Sequence, residues 1–364
     1  MDGVDAAIVR FADNSCETIG TQKFAYPESL RSRLISAIQD ADTCTIDEFA
    51  TLDILVAECF RDAVHDLLAS LSLTASDIAA IGSHGQTLRH QPDATPPFTV
   101  QIGDPNHIAS GTGITTVADF RRRDVAEGGQ GAPLAPAFHQ WLFAGESDRV
   151  VLNVGGIANI TCMPTNGKVC GFDTGPGNTL LDAWNHQHNL TPFDEDGNWS
   201  AGGTVLDDLL EDCLDDDYFR APAPKSTGFE YFNLRWLAEK LGPDNTADPR
   251  NIQSTLCELT ASTIAAAIKE QCTSTVSILV CGGGVHNRDL MSRLERKVAP
   301  AKCESTASHG LDPDWVEAAA FAWLARRTLK GLTGNLASVT GAKRECILGG
   351  IYRGQGQGPP GFCR

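Results

Sequence analysis

The run Gly171-Phe172-Asp173-Thr174-Gly175-Pro176-Gly177-Asn178 sets one carboxylate at the mouth of a glycine turn. Just upstream, Val151 to Ile160 places Asn153, Gly155 and Gly156 in a second such turn, and Gly282-Gly283-Gly284 follows a third apolar run. Glycine lets backbone N–H groups reach a phosphate closely. A carboxylate beside that backbone can serve as the base or water-orienting group of phosphoryl transfer. Taken singly, each turn is equally explained as a tight turn or a close strand–helix approach. Asp173 alone could be a turn aspartate bonding its own backbone. Three such turns, each behind an apolar strand, point to convergence on one nucleotide. None is a Walker loop: no Gly-x-x-x-x-Gly-Lys-Ser/Thr occurs, and no lysine stands beside these turns in sequence.

A second group of candidates follows another strand. Asp119-Phe120-Arg121-Arg122-Arg123-Asp124 precedes Gly128-Gly129-Gln130-Gly131. Arginine suits a carboxylate ligand because it offers a planar pair of donors. Arg122 and Arg123 therefore read as anion ligands, and Asp119 and Asp124 as partners for hydroxyls or for the arginines. The plain alternative is a solvated charge run. Gln86, in Gly82-Ser83-His84-Gly85-Gln86, sits at a similar strand end, and Glu317 opens an otherwise apolar helical face, where a carboxylate also suits the helix dipole.

The elements that must position these groups alternate between strand and helix periods. Strands are predicted at 4–11, 78–83, 98–102, 114–119, 149–154, 159–163, 168–172 and 276–281. Helices are predicted over Leu30 to Ile38, Phe49 to Leu67, His139 to Phe143, Asn178 to Trp184 and Ile252 to Ile268, and from Asn287 and Pro313. Gly155-Gly156 reads as a hairpin. The stretch 194–203 reads as a polar surface loop, and the glycine- and proline-rich tail from Gly349 reads as frayed. The pattern predicts an α/β chain of two lobes with a cleft. The N-terminal lobe is 1–135, with part of 340–364 returning to it; the C-terminal lobe, 136–345, carries the nucleotide turns.

With 364 residues, 42% apolar and 21% charged, the chain can build two cores. A net charge of −17 argues against nucleic acid or an anionic membrane as partner. No apolar stretch suits a membrane span, and the start has no signal core, so a cytoplasmic protein is expected. The twelve cysteines are scattered without Cys-x-x-Cys and read as reduced, mostly buried thiols. Assembly as a homodimer is compatible with the sequence.

These motifs, with Asp2-Gly3-Val4-Asp5-Ala6-Ala7, Gln101-Ile102-Gly103-Asp104, Lys225-Ser226-Thr227-Gly228 and Cys281 to Asn287, resemble the anhydro-N-acetylmuramic acid kinase family over nearly the whole chain. The resemblance implies the two-lobed fold shared by sugar kinases, actin and heat-shock chaperones. It implies ATP and Mg²⁺, with an amino sugar as partner. The implied reaction hydrolyses the 1,6-anhydro ring and phosphorylates O6, with Asp173 as general base. Gln86, Asp119, Arg122, Arg123, Asp124 and Glu317 are then expected at the sugar. Asp2, Gly3, Asp5, Asn153, Gly155, Gly156, Gly175, Gly177, Asn178, Gly282, Gly283 and Gly284 are expected at the nucleotide. The family's chains begin with a strand and a Gly/Ser/Thr-rich turn before Asp-Gly, where this chain has Met1. That departure predicts a missing first strand and weak or absent activity unless upstream residues are restored. An ordinary sugar kinase of the same fold, or a nucleotide-binding relative without turnover, are the alternatives.

Overall fold

The computed structural model describes residues 3–39, 44–223 and 225–355. Twelve strands are described: β1 (Gly3–Phe11), β2 (Cys16–Ala25), β3 (Ile81–Gly82), β4 (Gln86–Gln91), β5 (Phe98–Ile102), β6 (Thr116–Ala118), β7 (Arg149–Val154), β8 (Ile157–Met163), β9 (Cys170–Pro176), β10 (Ser277–Cys281), β11 (Lys302–Ser305) and β12 (Gly350–Tyr352). The α/β class expected from the periodicity is the class observed. Two compact units are present: residues 1–138 with 317–364, and residues 139–316. The return to the first unit thus begins at Glu317 rather than near 340. Phe321, on the helix Val316–Leu329, packs against His84 and Phe120 of that unit, with ring centroids 4.5 and 5.7 Å away.

In the first unit β1 and β2 form an antiparallel hairpin, from Gly3 opposite Ala25 to Phe11 opposite Cys16. The helices Glu28–Gln39 and Ile46–Ser70 follow. Leu30, Leu34, Leu52 and Val56 from these helices bury against Leu88 and Ile102. Thr45 caps the second helix by accepting the Glu48 N–H at 3.1 Å, which satisfies one of the donors a helix start leaves over. A further sheet has the order β12-β6-β3, with β12 antiparallel and β3 parallel to β6. The tail expected to fray therefore supplies a strand at Gly350–Tyr352, while residues 356–364 lie outside the described residues.

The second unit is built on one sheet of order β11-β10-β7-β8-β9. The meander β7-β8-β9 is antiparallel, and β10 joins β7 and β11 in parallel, the latter through the helix Arg288–Val298. That crossover is what parallel pairing requires. Leu152, Ile160, Ile278 and Val280 are fully buried, each contributing about 1.5–3 kcal/mol. The helix Pro249–Gln271 packs on this core through Ile252, Leu256, Leu259 and Ile264.

Two expectations are corrected here. The stretch 194–203 is not a simple polar surface loop: Asp194 and Ser200 are buried. The Asp194 carboxylate accepts the N–H groups of Trp199 and Ser200, both at 2.8 Å, and so organises the short helix Asn198–Ala201. The cysteines are not all reduced thiols either. Cys162 on β8 and Cys272, just past the helix Pro249–Gln271, form a disulfide across 110 residues of sequence. Folding brings together two residues whose spacing gives no hint of pairing.

Candidate active site

In the second unit the three glycine turns meet. Gly177 N–H donates to the Gly156 carbonyl at 2.9 Å, and Asn178 N–H to that of Gly155 at 2.8 Å. The Asn178 side-chain amide donates to the Val154 carbonyl at 3.1 Å. The third turn presses on the same spot. A Cβ on Gly282 would lie 2.4 Å from Asn153 Oδ1, and one on Gly284 2.3 Å from Val154 Cγ1. Gly177 is equally confined, at 2.4 Å from the Gly155 oxygen. Side chains are excluded at these positions by the backbone of 155–158 at Gly177 and by Asn153 and Val154 at Gly282 and Gly284. Gly156, by contrast, has open space, with its nearest atom, Thr179 Cβ, 4.0 Å from an added Cβ. Asn153, Gly155, Gly156, Gly177, Asn178 and Gly282 to Gly284 are thus gathered as expected of converging turns. Gly175 belongs to a different contact: its φ of 143° and the Phe219 ring, 2.7 Å from an added Cβ, tie it to core packing. Asn287 caps the helix Arg288–Val298 through the Leu290 N–H at 3.0 Å.

Asp173 lies on β9, the strand that leads into the Gly177-Asn178 turn. Its Oδ2 accepts the Thr227 N–H at 3.0 Å, and its own N–H donates to the Lys225 carbonyl at 3.0 Å. The Tyr218 hydroxyl donates to the Asp173 carbonyl at 2.7 Å. Burial raises the carboxyl to about 6; the Thr227 bond opposes this and the nearby Glu230 charge adds to it. A carboxyl poised there is ionised at neutral pH yet basic enough to take a proton.

In the first unit Asp119 occupies the left-handed region at φ 62°, just before the helix Phe120–Ala126. That conformation is unusual for a non-glycine residue and is found where surroundings force it. Its carboxylate lies 3.5 Å from Arg122 Nε, and both side chains reach solvent. Burial raises the Asp119 pKa, and Arg122 acts against it. Arg121 points elsewhere: its Nε donates to His84 Nε2 at 3.0 Å and its Nη1 to the Gly131 carbonyl at 2.8 Å. Burial, then the Arg121 charge, lowers the His84 pKa to about 3, so His84 is neutral and can accept that bond. Glu317 keeps an exposed surface, yet the protein packed around it raises its pKa. Arg121 counters that shift and Asp5 reinforces it.

Not every predicted residue lines such a group. Asp124 is fully buried, and its oxygens are occupied by its own protein. Oδ2 accepts Gly131 N–H at 2.8 Å, and Oδ1 accepts Asn335 Nδ2 at 2.6 Å and Thr340 Oγ1 at 2.7 Å. The expectation of a sugar contact is corrected: Asp124 shapes the 128–131 loop. Arg123 faces Glu127 at 3.8 Å, a residue also gripped by Arg344. Gln86 starts β4, its amide donating to the Thr87 carbonyl at 3.3 Å. Gly3, at φ 151°, has no room for a Cβ, which would lie 1.9 Å from the Phe24 carbonyl oxygen, and Asp5 is exposed opposite Lys23. Asp2 lies outside the described residues. Sequence reading missed Arg121, Tyr218 and Lys225. Lys225 opens a quoted motif to which no role attached.

An α/β chain whose glycine turns gather beside a carboxylate of raised pKa falls in the class of kinases. Within that class, a family model described as anhydro-N-acetylmuramic acid kinase matches residues 1–354, and the chain belongs to this family. A relative from Xanthomonas axonopodis pv. citri (strain 306), named anhydro-N-acetylmuramic acid kinase, is 50% identical over 355 residues, covering 96% of this chain and 95% of its own. One of the same name from Coxiella burnetii (strain Dugway 5J108-111) is 47% identical over 358 residues, covering 98% and 95%. Among solved structures, the ADPNP-bound activator of the 2-hydroxyisocaproyl-CoA dehydratase from Clostridium difficile aligns with a TM-score of 0.40 at 12% identity, over 76% of this chain and 85% of that one. That likeness is too weak to add to the family assignment.

Proposed function

We propose that this kinase uses ATP and water to convert 1,6-anhydro-N-acetylmuramic acid into N-acetylmuramic acid 6-phosphate in the cytoplasm. The observation that carries the reading is the Asp173 carboxyl, raised to about 6 on the strand that leads into the gathered glycine turns. Its free oxygen takes a proton from water. The water oxygen bonds to C1, the C1–O6 bond breaks, and O6 accepts the γ-phosphoryl group as ADP leaves. The proton on Asp173 passes to solvent. The backbone N–H groups around Gly155, Gly156, Gly283 and Gly284 suit the phosphates and ribose. Among the described residues, no three His, Cys, Asp or Glu side chains group to hold a metal by themselves. Mg²⁺ asks for less, since it keeps several waters and binds substrate phosphates with one or two carboxylates. When bound, Mg²⁺ neutralises charge on the phosphates.

For the sugar, Arg122 is the arginine offered for the lactyl carboxylate, with Asp119 orienting it. Glu317 and Gln86 are the further polar groups of that unit proposed to meet the ligand. Among the described residues no helix is long and apolar enough to cross a membrane.

Asp173→Asn tests the reading, because asparagine keeps an acceptor for the Thr227 N–H but cannot take the proton. Turnover should fall by about 10²–10⁴-fold. Undiminished turnover would overturn the assignment.

A further inference from the structure

The motif Lys225-Ser226-Thr227-Gly228 has no part in the chemistry so far, yet it lies against Asp173. One stretch of chain holds that residue at three points. Lys225 O accepts the Asp173 N–H, the Tyr218 hydroxyl donates to the Asp173 carbonyl, and the Thr227 N–H donates to Oδ2. Oδ1 has no hydrogen-bond partner among the described residues. Lys225 closes the stretch on itself. Its Nζ donates to the carbonyls of Tyr218 and Phe219 at 2.8 and 3.2 Å and lies 4.7 Å from the centre of the Tyr218 ring. The rings of Phe219 and Phe232 pack on Tyr218 at 5.8 and 5.4 Å. Thr227 Oγ1 is buried without a partner, so the main chain rather than the hydroxyl dictates the fit there.

We propose that Lys225 is a positioning residue of the reaction: by tying the Tyr218 and Phe219 carbonyls it holds residues 225–227 to residues 218–219 as a strap, so that Thr227 N–H occupies Oδ2 of Asp173 and Oδ1 alone is left for water. The inference rests on the reading of Asp173 as the base. A carboxylate has two equivalent oxygens and can turn. Occupying one fixes the lone pairs of the other, and small errors in such placement cost much rate. The strap also sets charge. The Thr227 bond favours the ionised carboxylate, Glu230 opposes ionisation, and the Tyr218 ring lies beside both Asp173 and the Lys225 ammonium. Loosening the strap removes the favourable bond, so the Asp173 pKa moves up.

The test is steady-state kinetics of the full chain with 1,6-anhydro-N-acetylmuramic acid and ATP, from about pH 5 to about pH 9, on Lys225→Met, Lys225→Arg, Tyr218→Phe and Asp173→Asn. Lys225→Met should lower kcat roughly 10- to 100-fold with both KM values within about threefold, because the loss falls on the transition state. The acid limb of its kcat/KM profile should move to higher pH. Lys225→Arg should recover part of kcat, since a guanidinium can still bond carbonyls. Tyr218→Phe should move the limb the same way by less, and it carries the test alone if Lys225→Met does not fold. An unmoved limb and unchanged kcat in both variants would overturn the strap. So would a raised KM for ATP at full kcat, which would make Lys225 a phosphate ligand. If Asp173→Asn stays active, the base assignment fails. If it is inactive while the strap variants behave as wild type, only the strap fails.

Discussion

The Asn178 side-chain amide donates to the Val154 carbonyl at 3.1 Å, sewing the turn after β9 to the end of β7. Gly284 packs on the same Val154. Three turns distant in sequence thereby become one backbone-lined surface.

Gly177, Gly282 and Gly284 admit no side chain there. Gly177→Ala should cost about 1–3 kcal/mol of stability, the usual penalty for overpacking. ATP affinity should fall with it, because the Gly155 carbonyl must move. Thermal unfolding and ATP titration measure both. Gly156→Ala, with open space, should be milder on stability, and equal losses at the two positions would contradict the packing described.

Asp173 should leave a mark on stability as well as on rate. A carboxyl whose pKa is higher folded than unfolded binds its proton more tightly when folded. That contribution is present below the unfolded value and is lost as pH rises through about 6. Asp173→Asn should therefore be more stable than the parent at pH 8, by about 1–3 kcal/mol after allowing for partial exposure. The difference should vanish near pH 4. Denaturant titrations at the two pH values check this, and a less stable variant at pH 8 would contradict the raised pKa.

Asp124 is expected to matter through structure. Asp124→Ala leaves Gly131 N–H, Asn335 and Thr340 without their acceptor and should cost about 2–5 kcal/mol. A loss under 1 kcal/mol in chemical unfolding would show that the 128–131 loop does not depend on it.

Arg122 should show the opposite pattern. It is exposed, so Arg122→Ala should change stability by no more than about 0.5 kcal/mol. It should raise the KM for the sugar about tenfold or more with kcat nearly kept, the sign of lost uniform binding. Arg123→Ala, which loses only the Glu127 contact, should leave the sugar KM near normal. Equal effects of the two would return both arginines to the sugar.

Much of this was open to reading in the chain. The strands β7, β8, β9 and β10 follow from short apolar runs stopped by glycine or proline, and the long helices from their 3.6-residue period. The strand β2 was missed because Glu17, Thr18, Gly20, Thr21 and Gln22 make it polar, and its stability comes from pairing with β1. β12 hides among glycines for the same reason, needing β6 as partner. Asp173 and the glycine turns stood out because their residue types carry the chemistry themselves. Arg121 and Arg123 could not be told apart from Arg122 in an unbroken arginine run, since only the helix Phe120–Ala126 decides which way each points. Lys225 acts through carbonyls, and a carbonyl has no signature in sequence.

The most direct measurement is the mass of the product formed from 1,6-anhydro-N-acetylmuramic acid, ATP and Mg²⁺ in ¹⁸O-labelled water. The expected product has gained one phosphoryl group and one water, with the label at C1. A product that has gained phosphate alone, with the anhydro ring closed, would contradict the role given to Asp173.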